Sequence, residues 1–209
     1  MKGPSRQQQE WVRGFLFLGN QLALDFVNTK PILGGEPREL LTDATALARW
    51  LAASGLVTAG KEKELIRAWR DSRPAEAFVR GLVAFRERLR AAILRLEAGS
   101  APSSEFLAEV NALLAQHPQR IHLIRRGSKL ALQTFFDLRK PEDLWTPIAA
   151  VTAELLGEVE PSRVRKCDAE ACVVHFYDTS KKGSRRWCSM NICGNRLKVA
   201  AYQRRRSAA

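Results

Sequence analysis

The sequence predicts an α+β protein. A mostly helical N-terminal domain with one small β-hairpin spans residues 1–160, followed by a compact cysteine-bearing module over residues 161–209. Three observations carry this prediction. Apolar residues recur at helical spacing through most of residues 43–116, and the pattern switches to alternation around Gly127-Ser128. All four cysteines then fall within the 27 residues from Cys167 to Cys193.

Taken in order, "GFLFLGNQLALDFVNT" begins as a short apolar strand and continues as a helix carrying Leu22 and Phe26, with Asn20 placed to cap it. "PILGGEP" is a loop by its Pro and Gly content. "TDATALARWLAASG" is a helix capped by Thr42 or Asp43, faced by Leu47, Trp50 and Leu51, and stopped by Gly55. A second helix carries Leu65, Ile66 and Trp69 on one side, and both tryptophans read as core. The longest helix follows, with Phe78, Leu82, Phe85, Leu89 and Leu96 as its stripe, Pro74 in its first turn and Gly99 at its end. "SSEFLAEVNALLAQHP" is a serine-capped helix, "RIHLIRRGSKLALQTFF" a hairpin, and "TPIAAVTAELLG" a helix again. "EVEPS", residues 158–162, reads as a hinge, so metal removal is expected to unfold the C-terminal module and spare the N-terminal helices.

Hydrophobic residues make up 45% of the chain and charged residues 27%, which is globular composition. No apolar run is long enough to span a bilayer, and "MKGPSRQQQEWVRG" lacks the apolar core of a secretory signal. The expectation is a cytoplasmic protein with no membrane partner. The net charge is +12, and residues 161–209 supply +9 of it, from twelve Lys/Arg against three Asp/Glu. A basic excess so concentrated seeks phosphate, nucleic acid first and an anionic membrane surface second; as mere surface charge it would only aid solubility.

Cys167, Cys172, Cys188 and Cys193 are spaced C-x4-C-x15-C-x4-C. Within each pair a tight turn can present both sulfurs to one ion, and "VVHFYDTSKKGSRRW" supplies a hairpin with its turn at residues 181–184 to bring the second pair back. One zinc ion suits this set, being redox-inert and content with a tetrahedral thiolate shell. Four thiolates and Zn²⁺ carry −2 together, which the surrounding cations offset. Two disulfides are the structural rival, disfavoured without a secretory signal. His175 is a second rival, as a ligand displacing one cysteine. A shell closed by four thiolates has no open position for water, so the zinc is expected to be structural.

"RRWCSMNICGNR", with "CDAEAC" and "FYDTSKKGSRRWC" upstream, resembles the CGNR zinc-finger family, named for Cys193-Gly194-Asn195-Arg196. "LALDFVNT" and "LLTDATALARWLAASGL" resemble the ABATE domain that precedes such fingers. The resemblance is specific over about residues 165–206 and looser over 15–57. It implies a bacterial, stress-linked transcription regulator with DNA binding assigned to the finger. The residues themselves agree. Gly194 lets the backbone pass close to the metal loop, and Asn195 can fix that loop through its side chain. "NRLKVAAYQRRR" reads as a helix, completing a treble-clef-like zinc finger. A metal staples a module too small to hold a core alone.

The candidate nucleic-acid contacts are Arg185, Arg186, Arg196, Lys198, Tyr202, Arg204, Arg205 and Arg206. Trp187 reads as packing beside the knuckle. In "LDFVNT", Asp25, Asn28 and Thr29 lie close together and read either as helix-end and ion-pair groups or as the lining of a ligand pocket. The leading reading is therefore a DNA-binding regulator whose N-terminal domain senses a small molecule or mediates assembly, including pairing into a homodimer. The alternative is a protein-interaction module whose finger binds an acidic protein partner. No H-E-x-x-H, G-x-S-x-G or phosphate-binding loop motif is present, and His117 and His122 stand isolated, so no enzyme activity is expected.

Overall fold

Residues 10–116, 120–195 and 206 are described by a computed structural model. Trp11–Val12 (β1) and Phe15–Leu16 (β2) form a two-residue hairpin. Its turn residues, Arg13 and Gly14, both have positive φ, as a tight hairpin turn of this twist requires. The Arg13 guanidinium then grips Glu62 through two bonds of 2.6 and 2.7 Å.

The first helix, α1 (Leu22–Val27), is short and almost wholly buried. Asn20 does not cap it. Gln21 occupies that position without a side-chain bond, and the Asn20 amide instead donates to the Tyr177 carbonyl at 2.9 Å. A turn through Gly34-Gly35 joins the minimal hairpin Ile32–Leu33 (β3) and Glu36–Pro37 (β4).

The helices α2 (Ala44–Ser54), α3 (Ala59–Trp69) and α4 (Arg73–Glu97) begin at Asp43, Thr58 and Ser72, each accepting a backbone N–H bond in its first turn. Gly55 closes α2 in the left-handed conformation. With α5 (Ser104–Gln116) and α6 (Trp145–Glu158), these helices surround one large core. Trp50 packs against Phe26, and Trp145 sits edge-on to both Phe78 and Phe85. Both Trp50 and Trp69 are buried as expected, whereas Leu96 is only half-buried and Ile93 takes its place in the α4 stripe.

Arg120–Arg126 (β5) and Lys129–Phe135 (β6) form the expected hairpin, closing at Arg126 and Lys129 around Gly127. The final pair, Val164–Lys166 (β7) and His175–Tyr177 (β8), departs from expectation. The finger's hairpin brackets the first cysteine pair instead of joining the two pairs. β7 follows α6 after one short helical turn and pairs antiparallel with β8 across the first knuckle, so β8 is already matched before residues 181–184 turn. That turn does form, through Gly183 at φ 60°.

The segment 158–162 leads from α6 into a single helical turn and β7, and the finger touches the helical domain where β8 meets α1 and β7 meets α4. Val164 is part of the main core, while Leu16 and Leu18 of the N-terminal hairpin region are buried in the finger's own cluster. The two parts have exchanged side chains. No helix among the described residues is long and apolar enough to cross a membrane.

Candidate metal centre and its support

The Cys167–Cys172 turn is held by the Cys167 N–H on the Val174 carbonyl and the Cys172 N–H on the Ala169 carbonyl. The second knuckle depends on Ser189. Its Oγ accepts from the Asn191 and Ile192 N–H groups at 3.0 and 3.1 Å, and its carbonyl accepts from Cys193 and Gly194. Its hydroxyl donates to Glu10, and the chain winds on as a wide helical turn over Met190–Gly194. Gly194 does sit in a crowded place. A Cβ there would lie 2.5 Å from the Met190 sulfur and 3.5 Å from the Trp187 ring.

These two turns bring the four buried sulfurs within 4.8 Å of one another, with Cys172 to Cys188 at 3.8 Å and Cys188 to Cys193 at 3.6 Å. A tetrahedral thiolate shell at about 2.3 Å from zinc has sulfur–sulfur edges of about 3.8 Å. The donor set therefore fits zinc in chemistry and in size, and none of the four cysteines is held in a disulfide. The sulfurs bear on one another's ionisation. Hydrogen bonds from the Cys172 and Cys188 thiols, with the Cys188 N–H, hold the Cys167 thiol low, and that sulfur in turn pushes Cys172 and Cys188 upward. A dication reconciles four thiolates in one cage. His175 is not among them. Its Nδ1 lies 2.8 Å from Glu97 Oε1, at the C-terminal end of α4.

The candidate ligand-pocket residues turn out to be the mounting for this finger. Asn28 spends both ends of its amide on the His175 backbone, donating to its carbonyl at 2.8 Å and accepting from its N–H at 2.9 Å. Asp25 Oδ1 accepts the Gly19 N–H at 2.7 Å, and the Gly19 carbonyl accepts the Tyr177 N–H at 2.8 Å. A Cβ on Gly19 would stand 2.7 Å from Leu24 and 2.8 Å from the Asp25 nitrogen, so only glycine lets the chain pass here. Thr29 donates to the Phe26 carbonyl and accepts from the fully buried Arg86, which also forms two bonds with Glu39. All three side chains are buried and partnered, and none is among the residues that wall the apolar cavity beside the knuckles. An apolar cavity of about 280 Å³ lies elsewhere, between the first two hairpins and the knuckles, walled by Leu16, Leu18, Ile32 and Cys172 among others.

The finger's cations divide into two groups. Arg185 faces inward. Its guanidinium donates to the Trp187 and Cys188 carbonyls and lies 4.6 Å from the centre of the Phe176 ring, so it braces the second knuckle. Arg163 and Arg165 similarly donate to backbone carbonyls of the loop 178–183. Asp178 organises that loop, accepting the Ser180 and Arg185 N–H groups; burial opposes its ionisation, but these bonds win and its carboxyl is held below the usual range. Arg186 points outward, paired with the exposed Asp168 at 2.8 Å. Arg206 is exposed, while Arg196, Lys198, Tyr202, Arg204 and Arg205 lie outside the described residues. Lys181 and Lys182 are exposed at the loop tip, and their place in the "KKGS" turn was the available sign of it.

Neither Asp178, Ser189 nor Glu97 stands out in the sequence, because each acts on backbone or on a residue distant along the chain. No match was found among curated proteins. Residues 163–206 match the CGNR zinc finger, and this module with its four-cysteine cage holds one structural zinc. Residues 20–159 match ABATE, described as "Putative stress-induced transcription regulator", and the chain belongs to that family.

Proposed function

We propose that this protein is a cytoplasmic, bacterial DNA-binding regulator of the stress response and not an enzyme, in which the zinc-held finger presents cations to the DNA backbone. The observation that carries this reading is the division of the finger's charge. Part of the +9 braces the fold, whereas Arg186, Lys181 and Lys182 stand exposed on its surface, and the sequence adds Arg196, Lys198, Arg204, Arg205 and Arg206. Zinc shapes the surface and has no coordination position left for substrate. The N-terminal domain, joined to the finger through Asn28 and the Gly19 carbonyl, is suited to pass on a ligand or assembly state.

The test is duplex binding by the zinc-loaded full chain across salt. About five phosphate contacts give a log–log slope of about −4 to −5, at −0.9 per contact. Replacing Arg204, Arg205 and Arg206 together by Ala should flatten that slope by up to about 3. Arg185→Ala should leave the slope unchanged while loosening the knuckle. A salt-independent affinity, or no binding to any duplex, overturns the reading.

A further inference from the structure

The β5–β6 hairpin is a two-stranded sheet with nothing paired to either edge among the described residues. Its alternation places Ile121, Leu123, Leu130 and Leu132 on one face, with Arg125 and Thr134. These four aliphatic side chains are 61%, 64%, 67% and 75% exposed. Leu123 and Leu132 face each other in the fourth of seven cross-strand pairs, so the patch is centred on the hairpin. An isolated hairpin with a bare aliphatic face is marginal in water and gains stability when that face is covered.

We infer that this face is the seat of a second copy of the same chain, packed hairpin against hairpin about a two-fold axis through Leu123 and Leu132. Four leucine and isoleucine side chains exposed to this degree amount to roughly 400–500 Å², the upper end of what monomers leave bare. Doubled by symmetry, with the flanking backbone, the contact reaches about 1,000 Å², where stable interfaces begin. The charge pattern selects the orientation. Arg125, Arg126 and Lys129 crowd the tip, and residues 120–135 contain no acidic side chain. Two tips side by side would repel. An antiparallel two-fold puts them at opposite ends, roughly 20 Å apart at 3.3 Å per residue, beyond the screening length of physiological salt. The axis then brings each Leu132 against the central row of its partner, the most exposed position on the face. The inference stands independently of nucleic-acid binding.

The test is sedimentation of the zinc-loaded full chain over a range of micromolar concentrations. The wild type should form a dimer. Leu132→Asp and Leu132→Lys should each be monomeric, with dimer dissociation weakened on the order of 100-fold. The two variants mixed should recover a heterodimer through the paired charges. Leu132 is exposed, so circular dichroism and zinc content should match wild type in both. A wild type that remains monomeric, or a dimer untouched by Leu132→Asp, overturns the inference; so does a chain that binds anionic vesicles through this face while staying monomeric.

Discussion

Asn28 illustrates how one side chain can join two modules. Both hydrogen-bonding groups of the His175 backbone are buried against it, so Asn28→Ala strands a donor and an acceptor together. Each stranded group costs about 1–3 kcal/mol, and the variant should lose roughly 2–6 kcal/mol in urea unfolding of the zinc-loaded protein. A change below about 0.5 kcal/mol would show that the clamp contributes nothing net. Among the ligands, Cys188 lies within 3.8 Å of both Cys172 and Cys193 and donates its N–H to Cys167. Cys188→Ser should therefore abolish stoichiometric zinc, read by metal analysis of the native preparation. These two residues contrast in legibility. Cysteine spacing reveals its partner type directly, whereas an asparagine near a helix end fits a cap, a pocket or a clamp equally well. Only the position of His175, 147 residues away, decides among them.

At the scale of elements, α4 is the organiser, and its charged face does what its apolar stripe does not. Arg86 is fully buried within an otherwise aliphatic and aromatic surface, and it ties the loop before α2 to the helix through Glu39 and Thr29. Burial opposes ionisation of Glu39, yet the Arg86 bonds, the Leu41 N–H and the Arg86 charge hold its carboxyl below the ordinary range. A group with a depressed folded pKa stabilises above its unfolded value and loses that contribution as pH falls through the folded one. Arg86→Met should thus cost about 3 kcal/mol at neutral pH, and the gap to wild type should shrink below about pH 4 as Glu39 protonates. Denaturation curves at both pH values test this. The ends of α2 and the start of α4 are legible because Asp43, Gly55 and Pro74 act locally, whereas the caps Thr58 and Ser72 are not singled out by the sequence. The finger hairpin was misplaced because strand partners are chosen by what the knuckle brings together, and β7 was too short to read as a strand.

For the whole molecule, the exchange of Leu16 and Leu18 for Val164 changes what zinc removal should do. The helical core is large, so most helical circular dichroism should survive a chelator at room temperature. Its melting temperature should nevertheless fall, by roughly 5–10 °C if 2–3 kcal/mol of docking is lost, at about 2–4 °C per kcal/mol for a chain of this size. An unchanged melting temperature would mean the two parts are thermodynamically independent, as a hinge at residues 158–162 implies.

The class, the metal and the place of the charge can be read from the chain alone. Cysteine spacing, helical periodicity and net charge are local properties, written in neighbouring residues. That Asp25, Asn28 and Thr29 mount the finger, that Arg185 braces it while Arg186 faces water, and that a leucine-rich hairpin stands uncovered follow from the packing. Those assignments depend on which distant backbone group satisfies a buried polar atom, and on what fails to cover an apolar one. Neither is a property of any short stretch of chain.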